Sequence, residues 1–309
     1  MNTVSVVIPT FNCGPYIAEA VSSALNQTVA PVEVIVIDDG STDDTGSILK
    51  DFSQQIVYLR QPNAGVSIAR NAGTKTACGT WLLFLDADDR LKPAAIANLL
   101  SVAGDRTDCV VYGDKHRIAH DGTHMDYVQS RDCTGLPPSA ARACYGGAPF
   151  EPGAAIVPKW LTDEIGGFER THSPCEDRHF WIRCGALVEF LHAPQVVLDY
   201  RVRPVSASKN RVRQVTNSVR TRIDLLPWFR ARGIRVFERD PEPATLLGDD
   251  LKSVYWTREW QVVDSLLDLA AEYNLDSPSI RDVRRRRRYP EWLIRMKDKV
   301  DNFRSRPLS

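Results

Sequence analysis

The 309 residues contain no apolar run approaching about 18 residues, so nothing in the sequence reads as a bilayer-spanning helix. The opening stretch has neither the basic n-region nor the small-residue cleavage site of a secretory leader, and it reads as entering a strand at once. Cysteine occurs seven times, an odd number without a Cys-x-x-Cys pair, which favours reduced thiols in a cytosolic protein. No Gly-x-Gly-x-x-Gly follows the first apolar segment, and no phosphate loop ends in Gly-Lys-Ser/Thr. Those absences disfavour dinucleotide oxidoreductases and nucleotide-hydrolysing motors. No internal repeat is evident. Net charge is zero over the whole chain, but residues 1–200 carry 24 acids against 15 bases and residues 201–309 carry the reverse. A basic tail half suggests an anionic partner for that part, while the acidic front half argues against nucleic acid.

What is present is an ordinary soluble composition, 43% hydrophobic and 25% charged, large enough for two domains. Short apolar runs at 4–8, 32–37, 56–59 and 81–85 read as buried strands. Amphipathic segments at about 15–27, 42–52 and 66–76 read as helices. This alternation predicts an α/β fold with a mainly parallel sheet flanked by helices. Further along, 110–112 reads as a strand, 114–129 as a hairpin turning at Asp121-Gly122, and the Gly- and Pro-rich stretch 135–153 as an irregular loop. Residues 160–165 and 177–184 read as helices and 196–200 as a strand. Beyond about 205 the pattern is helical, near 216–232 and as one segment over 249–273. We therefore expect a catalytic domain over 1–205 and a helical, basic extension over 206–309.

Residues 82–89, Leu-Leu-Phe-Leu-Asp-Ala-Asp-Asp, are an apolar run that stops on acids. That profile suits a buried strand emerging at the carboxyl edge of a sheet, where α/β folds bind ligands. Asp86 and Asp88 alternate along an extended segment, so they can face the same way and hold one oxygen-seeking divalent ion. Asp38 and Asp39 end the second strand, where a carboxylate can receive a nucleobase NH or ribose hydroxyl, or cap the following helix. His116, His120 and His124 are spaced four apart, but a hairpin turn between them would scatter them rather than build a metal site.

In order, these motifs resemble the family 2 glycosyltransferases, inverting enzymes with the Rossmann-like GT-A fold. The matching stretches are Val6-Val7-Ile8-Pro9-Thr10-Phe11-Asn12, Ile37-Asp38-Asp39-Gly40-Ser41-Thr42-Asp43, Asn63-Ala64-Gly65 with Ala69-Arg70-Asn71-Ala72-Gly73, Phe84-Leu85-Asp86-Ala87-Asp88-Asp89, and Gly166-Gly167-Phe168 ahead of Glu176-Asp177. The resemblance covers about residues 3–205. It implies that Pro9, Thr10, Asn12, Ser41 and Asn63 line a nucleotide-sugar pocket, that Asp39 contacts the base, usually uracil, and that Arg70 lies near the diphosphate. Asp86, Ala87 and Asp88 would form the Asp-x-Asp motif, with Asp86 and Asp88 as ligands to Mg²⁺ or Mn²⁺. The acidic pair Glu176 and Asp177 would supply the general base, Asp177 being our choice. Trp181 is a candidate to pack on a sugar ring, and Arg201 to close over the diphosphate. His179 is given no role.

The implied activity is transfer of a sugar from a nucleoside-diphosphate sugar, a UDP-sugar by expectation, to a hydroxyl of a glycan, lipid-linked or protein acceptor in cell-surface polysaccharide synthesis. Two alternatives stand beside it: a sugar nucleotidyltransferase, and a non-catalytic nucleotide-sugar-binding protein. Five consecutive arginines at 284–288 precede an amphipathic segment over 291–303, a combination that fits peripheral contact with anionic lipid at the inner face of the membrane.

Overall fold

A computed structural model of the protein describes residues 2–147, 150–203, 210–238 and 241–289. The chain forms two compact units, Met1–Ala207 with Pro227–Val236, and Ser208–Leu226 with Phe237–Ser309. The boundary expected near residue 205 falls outside the described residues.

The first unit begins with β1 (Val4–Thr10), whose seven residues are all buried, as a β-branched run covered on both faces should be. Next come α1 (Gly14–Leu25), β2 (Glu33–Asp38), α2 (Thr45–Ile48), β3 (Val57–Arg60), α3 (Val66–Thr76) and β4 (Trp81–Phe84). Strands β3, β2, β1 and β4 lie side by side in that order, all parallel. Helix α1 turns Ile17, Ala20, Val21 and Ala24 inward, a spacing that places one apolar face on the sheet. Helix α3 approaches β1 so closely that a Cβ at Gly73 would sit 2.2 Å from Val7 Cγ1, and glycine is required there.

After β4 the sheet becomes mixed, more so than the strand–helix alternation predicts. The elements are β5 (Arg90–Leu91), α4 (Ala95–Ala103), β6 (Cys109–Ile118), β7 (His124–Val128), α5 (Ser139–Tyr145), β8 (Ala155–Pro158), α6 (Lys159–Glu164), α7 (Glu176–Gly185) and β9 (Glu189–Arg201). β8 runs antiparallel to β4 and to β6, and β9 runs parallel to β6. Consequently β9 points the same way as β1, β2 and β4. Its last residues reach the edge at which those strands end, and β8 starts there. β6 and β9 are longer than their apolar cores predict because they pair with one another from Cys109↔Glu189 to Ile118↔Arg201, which carries their polar residues along. Helix α5 replaces part of the loop expected over 135–153; its buried Ala140, Ala141 and Cys144 supply a helical face too short to stand out among glycines and prolines.

In the second unit α8 (Arg211–Ala231) contributes its residues up to Leu226. It is followed by α9 (Pro243–Trp256), α10 (Trp260–Glu272) and α11 (Pro278–Arg287). Val219, Ile223, Leu251, Val263, Leu266 and Ile280 share one core. The single helix expected over 249–273 is two helices, broken where Arg258 takes φ 64°, so Trp256 ends half-exposed rather than continuing the stripe of Trp260 and Val263. The arginine run closes α11, which Ser277 caps by accepting from the Ile280 N–H at 3.3 Å. Arg285 and Arg286 pair with Asp282, and Arg287 grips both oxygens of Asp264 at 2.7 and 2.8 Å. The amphipathic segment expected over 291–303 lies outside the described residues. Among the described residues no helix is long and apolar enough to cross a membrane.

Candidate active site

The parallel strands deliver their acids to one edge. At the end of β2, Asp38 accepts from the Ser41 N–H and the Tyr58 hydroxyl, both at 2.8 Å, and so caps the turn. Asp39 faces the other way. Its carboxylate receives Gln61 Nε2 at 2.7 Å, the Ala64 N–H at 2.9 Å and the Gly65 N–H at 2.7 Å. Both carboxylates are thus engaged within the protein, Asp38 by the turn after β2 and Asp39 by the loop ahead of α3. Asn12 (φ 52°) accepts from the Thr42 N–H at 2.8 Å, and its own N–H donates to Ser41 Oγ at 3.0 Å. Pro9 and Thr10 are buried at the end of β1, while Asn63 is exposed on the loop that Asp39 holds.

That loop leads through Gly65 into α3, and one turn along the helix lies Arg70, almost wholly buried. Its Nη2 reaches Asp86 Oδ1 at 2.7 Å and its Nη1 reaches Glu176 Oε1 at 3.2 Å, with the guanidinium 5.0 Å from the Phe168 ring. Burial opposes the charge, but Asp86, Glu176 and Asp177 together outweigh it and hold the Arg70 pKa above the usual arginine value. Asn71 fixes the neighbouring turn: its side chain bonds the Phe168 C=O and N–H at 2.8 Å each, and Gly167 at φ 72° leaves room for it. Phe168 in turn stacks on Phe180 with centroids 4.1 Å apart. The Gly166-Gly167-Phe168 motif is thus the bracket that joins α3 to the segment leading into α7.

Residues 86–89 are not extended. The Asp89 N–H donates to the Asp86 C=O at 3.0 Å, forming a turn, so the alternation argument for Asp86 and Asp88 does not hold. Asp86 turns toward Arg70, whereas Asp88 Oδ2 lies 2.5 Å from Arg203 Nε, and Ala87 between them is buried. Burial, then the charge of Asp86, push the Asp88 carboxyl up, and Asp89, fully enclosed behind them, is pushed further.

Arg201 is buried and engaged by protein partners. Its Nε donates to the Asp88 C=O at 2.7 Å, Nη1 to the His120 C=O at 2.9 Å and Nη2 to Glu19 Oε2 at 2.7 Å, while its N–H holds Asp89 Oδ1 at 2.8 Å. A guanidinium so committed positions the acidic turn. Arg203, two residues on, is the cation that faces Asp88. Sequence reasoning passed over it, because it lies beyond the end of β9 where no strand pattern marks it.

Glu176 and Asp177 open α7, where the helix dipole favours acids. Glu176 is the buried partner of Arg70. Among the described residues Asp177 forms no ion pair with a guanidinium, and its Oδ1 accepts from the N–H of its helix neighbour Arg178 at 2.6 Å. Burial and the adjacent Glu176 push its carboxyl up to about 7, with Glu151 adding to the effect and Arg70 opposing it. Trp181 is fully buried, 4.8 Å from Phe150 and 4.9 Å from Phe180 between centroids, so it is a core residue and not a sugar platform. His116 and His124 are brought together by the hairpin, rings 4.4 Å apart, where scattering was expected. Among the described residues no group of three or more His, Cys, Asp or Glu has the geometry of a metal cluster.

Mg²⁺ or Mn²⁺ nevertheless suits this turn. Asp86 and Asp88 offer hard carboxylate oxygens, and the raised Asp88 carboxyl marks a place where added positive charge is favoured. Ions of this type are commonly held by one or two carboxylates, with phosphate oxygens and water completing the shell.

Residues 5–154 match the model of glycosyl transferase family 2. These residues are a family 2 glycosyltransferase domain. Among curated relatives, the uncharacterized glycosyltransferase EpsJ of Bacillus subtilis is 38% identical over 103 residues, which is 32% of this chain and 30% of that protein. The chain thus spans about a third of the length of that relative. Solved structures share the fold, among them the two that follow. Staphylococcus aureus TarS 1-349, in complex with UDP-GlcNAc, gives a TM-score of 0.58 at 18% identity over 88% of this chain and 92% of that one. The mannosyltransferase PcManGT from Pyrobaculum calidifontis, in complex with GDP-Man and Mn²⁺, gives 0.57 at 19% identity over 89% and 76%. The family 2 domain and the GT-A architecture expected from the motifs are both present.

The family 2 match takes in all the candidate residues from Pro9 to Asp88 and stops before Glu176 and Asp177, which reach the site through Arg70. It also takes in Glu151, which sequence reasoning missed. That residue sits in the Gly- and Pro-rich stretch just ahead of β8, and only the antiparallel course of β8 reveals that it lies at the edge where β4 ends.

Proposed function

We propose that the protein is an inverting glycosyltransferase that moves a sugar from a nucleoside-diphosphate sugar, a UDP-sugar in our reading, to a hydroxyl of a saccharide acceptor. The acceptor is a growing glycan or a lipid-linked saccharide. One observation carries the reading: Arg70 joins the acidic turn after β4 to the acids that open α7, so a charge-stabilising group and a proton acceptor lie on either side of one guanidinium.

The chemistry follows from those positions. The acceptor oxygen forms a bond to the anomeric carbon as the bond from that carbon to the diphosphate oxygen breaks, inverting the centre. Asp177 receives the hydroxyl proton, a role that needs a carboxylate with a pKa near the working pH. Arg70 and Arg203 hold positive charge where the departing diphosphate gains negative charge. Asp86 and Asp88 would hold Mg²⁺ or Mn²⁺, which when bound supplies further stabilisation of that leaving group. Asp39, Asn12 and Ser41 frame the nucleoside pocket, with Asp39 free to trade a loop hydrogen bond for one from the base.

The test is direct. Purified protein is incubated with a panel of UDP- and GDP-sugars, Mn²⁺ and simple glycoside acceptors, and released nucleotide is measured. Nucleotide release dependent on acceptor supports the reading; pyrophosphate as product, or tight nucleotide binding without turnover on any donor, overturns it. We further propose that the protein attaches to the anionic inner face of a membrane, a reading supported by the arginine run at 284–288 and the basic balance of residues 201–309. Co-sedimentation with anionic but not neutral vesicles checks that part.

A further inference from the structure

Lys115 on β6 and Glu151 ahead of β8 form an ion pair, Nζ to Oε1, that the catalytic reading does not use. Both side chains are only partly covered, 15% and 22% exposed, so the pair is reachable from solvent while its surroundings are mostly protein. The Lys115 ammonium also lies 5.1 Å above the Tyr200 ring on β9. Glu151 is anchored on both sides: the preceding Phe150 stacks on Tyr112 with centroids 4.4 Å apart, and the Glu151 C=O accepts from the Ala154 N–H at 2.9 Å. Its carboxylate is nevertheless unsaturated. Oε2 is closed to solvent and has no hydrogen-bond partner among the described residues. The terminal torsion of Glu is broad, so the group can turn to meet a donor.

Position adds to this. Glu151 precedes a strand that starts at the edge where β4 and β9 end, and its charge is felt at Asp89, at Tyr200 and at Asp177. The pair therefore stands on the side of the proposed base. At 15% and 22% exposure the pair is mostly enclosed, yet the ion pair leaves Glu151 Oε2 unsatisfied, so it does not by itself complete the hydrogen bonding of this carboxylate. Chemically it offers an N–H donor and a carboxylate acceptor side by side. That pattern is complementary to two neighbouring hydroxyls of a sugar, one accepting and one donating.

We propose that the Lys115–Glu151 pair positions the acceptor, gripping a vicinal diol of the saccharide so that the attacking hydroxyl meets Asp177. This inference rests on the glycosyltransferase reading. Its test uses the donor that the wild-type protein turns over, at saturation, with methyl hexosides, methyl N-acetylhexosaminides and their monodeoxy analogues as acceptors. Glu151→Gln should raise the acceptor KM by about 10-fold or more, the loss expected of one hydrogen bond to a charged group, with kcat and donor KM changed by less than about threefold. A deoxy analogue lacking one of the gripped hydroxyls should bind the wild type worse than its parent, and Glu151→Gln should no longer distinguish the two. Because removing one partner can strand the other charge, Lys115→Met/Glu151→Met is made as well. It should show the same KM defect with a melting temperature within about 4 °C of wild type, a shift of roughly 1 kcal/mol or less. An unchanged acceptor KM, a loss confined to kcat, or a large fall in melting temperature with unaltered KM would overturn the assignment. Wild-type protein that releases no nucleotide from any donor would sink the glycosyltransferase reading first, and this one with it.

Discussion

Arg70 and Asp86 are held 2.7 Å apart with the guanidinium almost wholly buried, and the same side chain spans to Glu176 at 3.2 Å. One cation therefore ties the end of β4 to the start of α7, which are separated by about ninety positions in the chain. Replacing it with methionine strands two carboxylates. We expect Arg70→Met to cost about 3–5 kcal/mol of stability, the usual result of breaking a buried pair, and to abolish transfer. Arg70→Lys should recover little, since a single ammonium cannot fork to both acids. Chemical denaturation and nucleotide-release assays check both statements.

Asp177 gives a pH signature. A base with a pKa near 7 is unprotonated only above it, so kcat/KM should rise through about pH 7 as the acidic limb of the profile. Asp177→Asn should lower kcat by about 10²–10⁴-fold while nucleotide affinity stays close to wild type, as calorimetry would show.

The same carboxyl sets a stability trend. Its pKa is raised above the unfolded value, so its favourable contribution is complete below about pH 4 and is lost as pH climbs through about 7. Asp177→Asn removes the ionisable group with almost no change of shape. Its melting temperature should exceed that of wild type at about pH 8, and the difference should vanish toward about pH 4. A constant offset across the range would contradict this account.

Asp88 separates metal from nucleotide. Chelation should stop wild-type turnover and added Mn²⁺ or Mg²⁺ should restore it. Asp88→Ala should be slower by about 10²-fold or more and should not respond to added metal, as a titration of rate against Mn²⁺ would reveal.

Gly167 has φ 72°, and a Cβ there would lie 2.4 Å from Asn71 Oδ1. Gly167→Ala should cost about 1–3 kcal/mol through the left-handed backbone and the disturbed Asn71 bracket. Asn71→Ala, which frees the space, should make the glycine substitution less costly in a double-mutant cycle.

Much of the first unit was legible because its signals are local. Apolar runs ending on Asp38 and Asp86 marked strand ends, and α3 was bounded by Gly65 and the change of pattern at Ala77. Most of what failed was non-local. β6 and β9 owe their length to each other, and neither is apolar enough alone to announce it. The 86–89 turn overrode an alternation argument that assumed an extended chain. Arg201 looked like a ligand-facing cation but is engaged by Glu19 and three carbonyls, partners that no spacing rule could supply. Glu151 was invisible because its place at the site depends on the direction of β8.

Trp181 is sealed among Phe150, Phe180 and Phe190, one helical turn from Asp177, and its indole N–H has no partner. An excited indole in so poorly polarisable a setting responds to nearby charge with little water to damp it. The protein thus carries an optical gauge one helical turn from the proposed base: a tryptophan whose emission should shift as the Asp177 carboxyl gains or loses its proton, with no dye or tag attached.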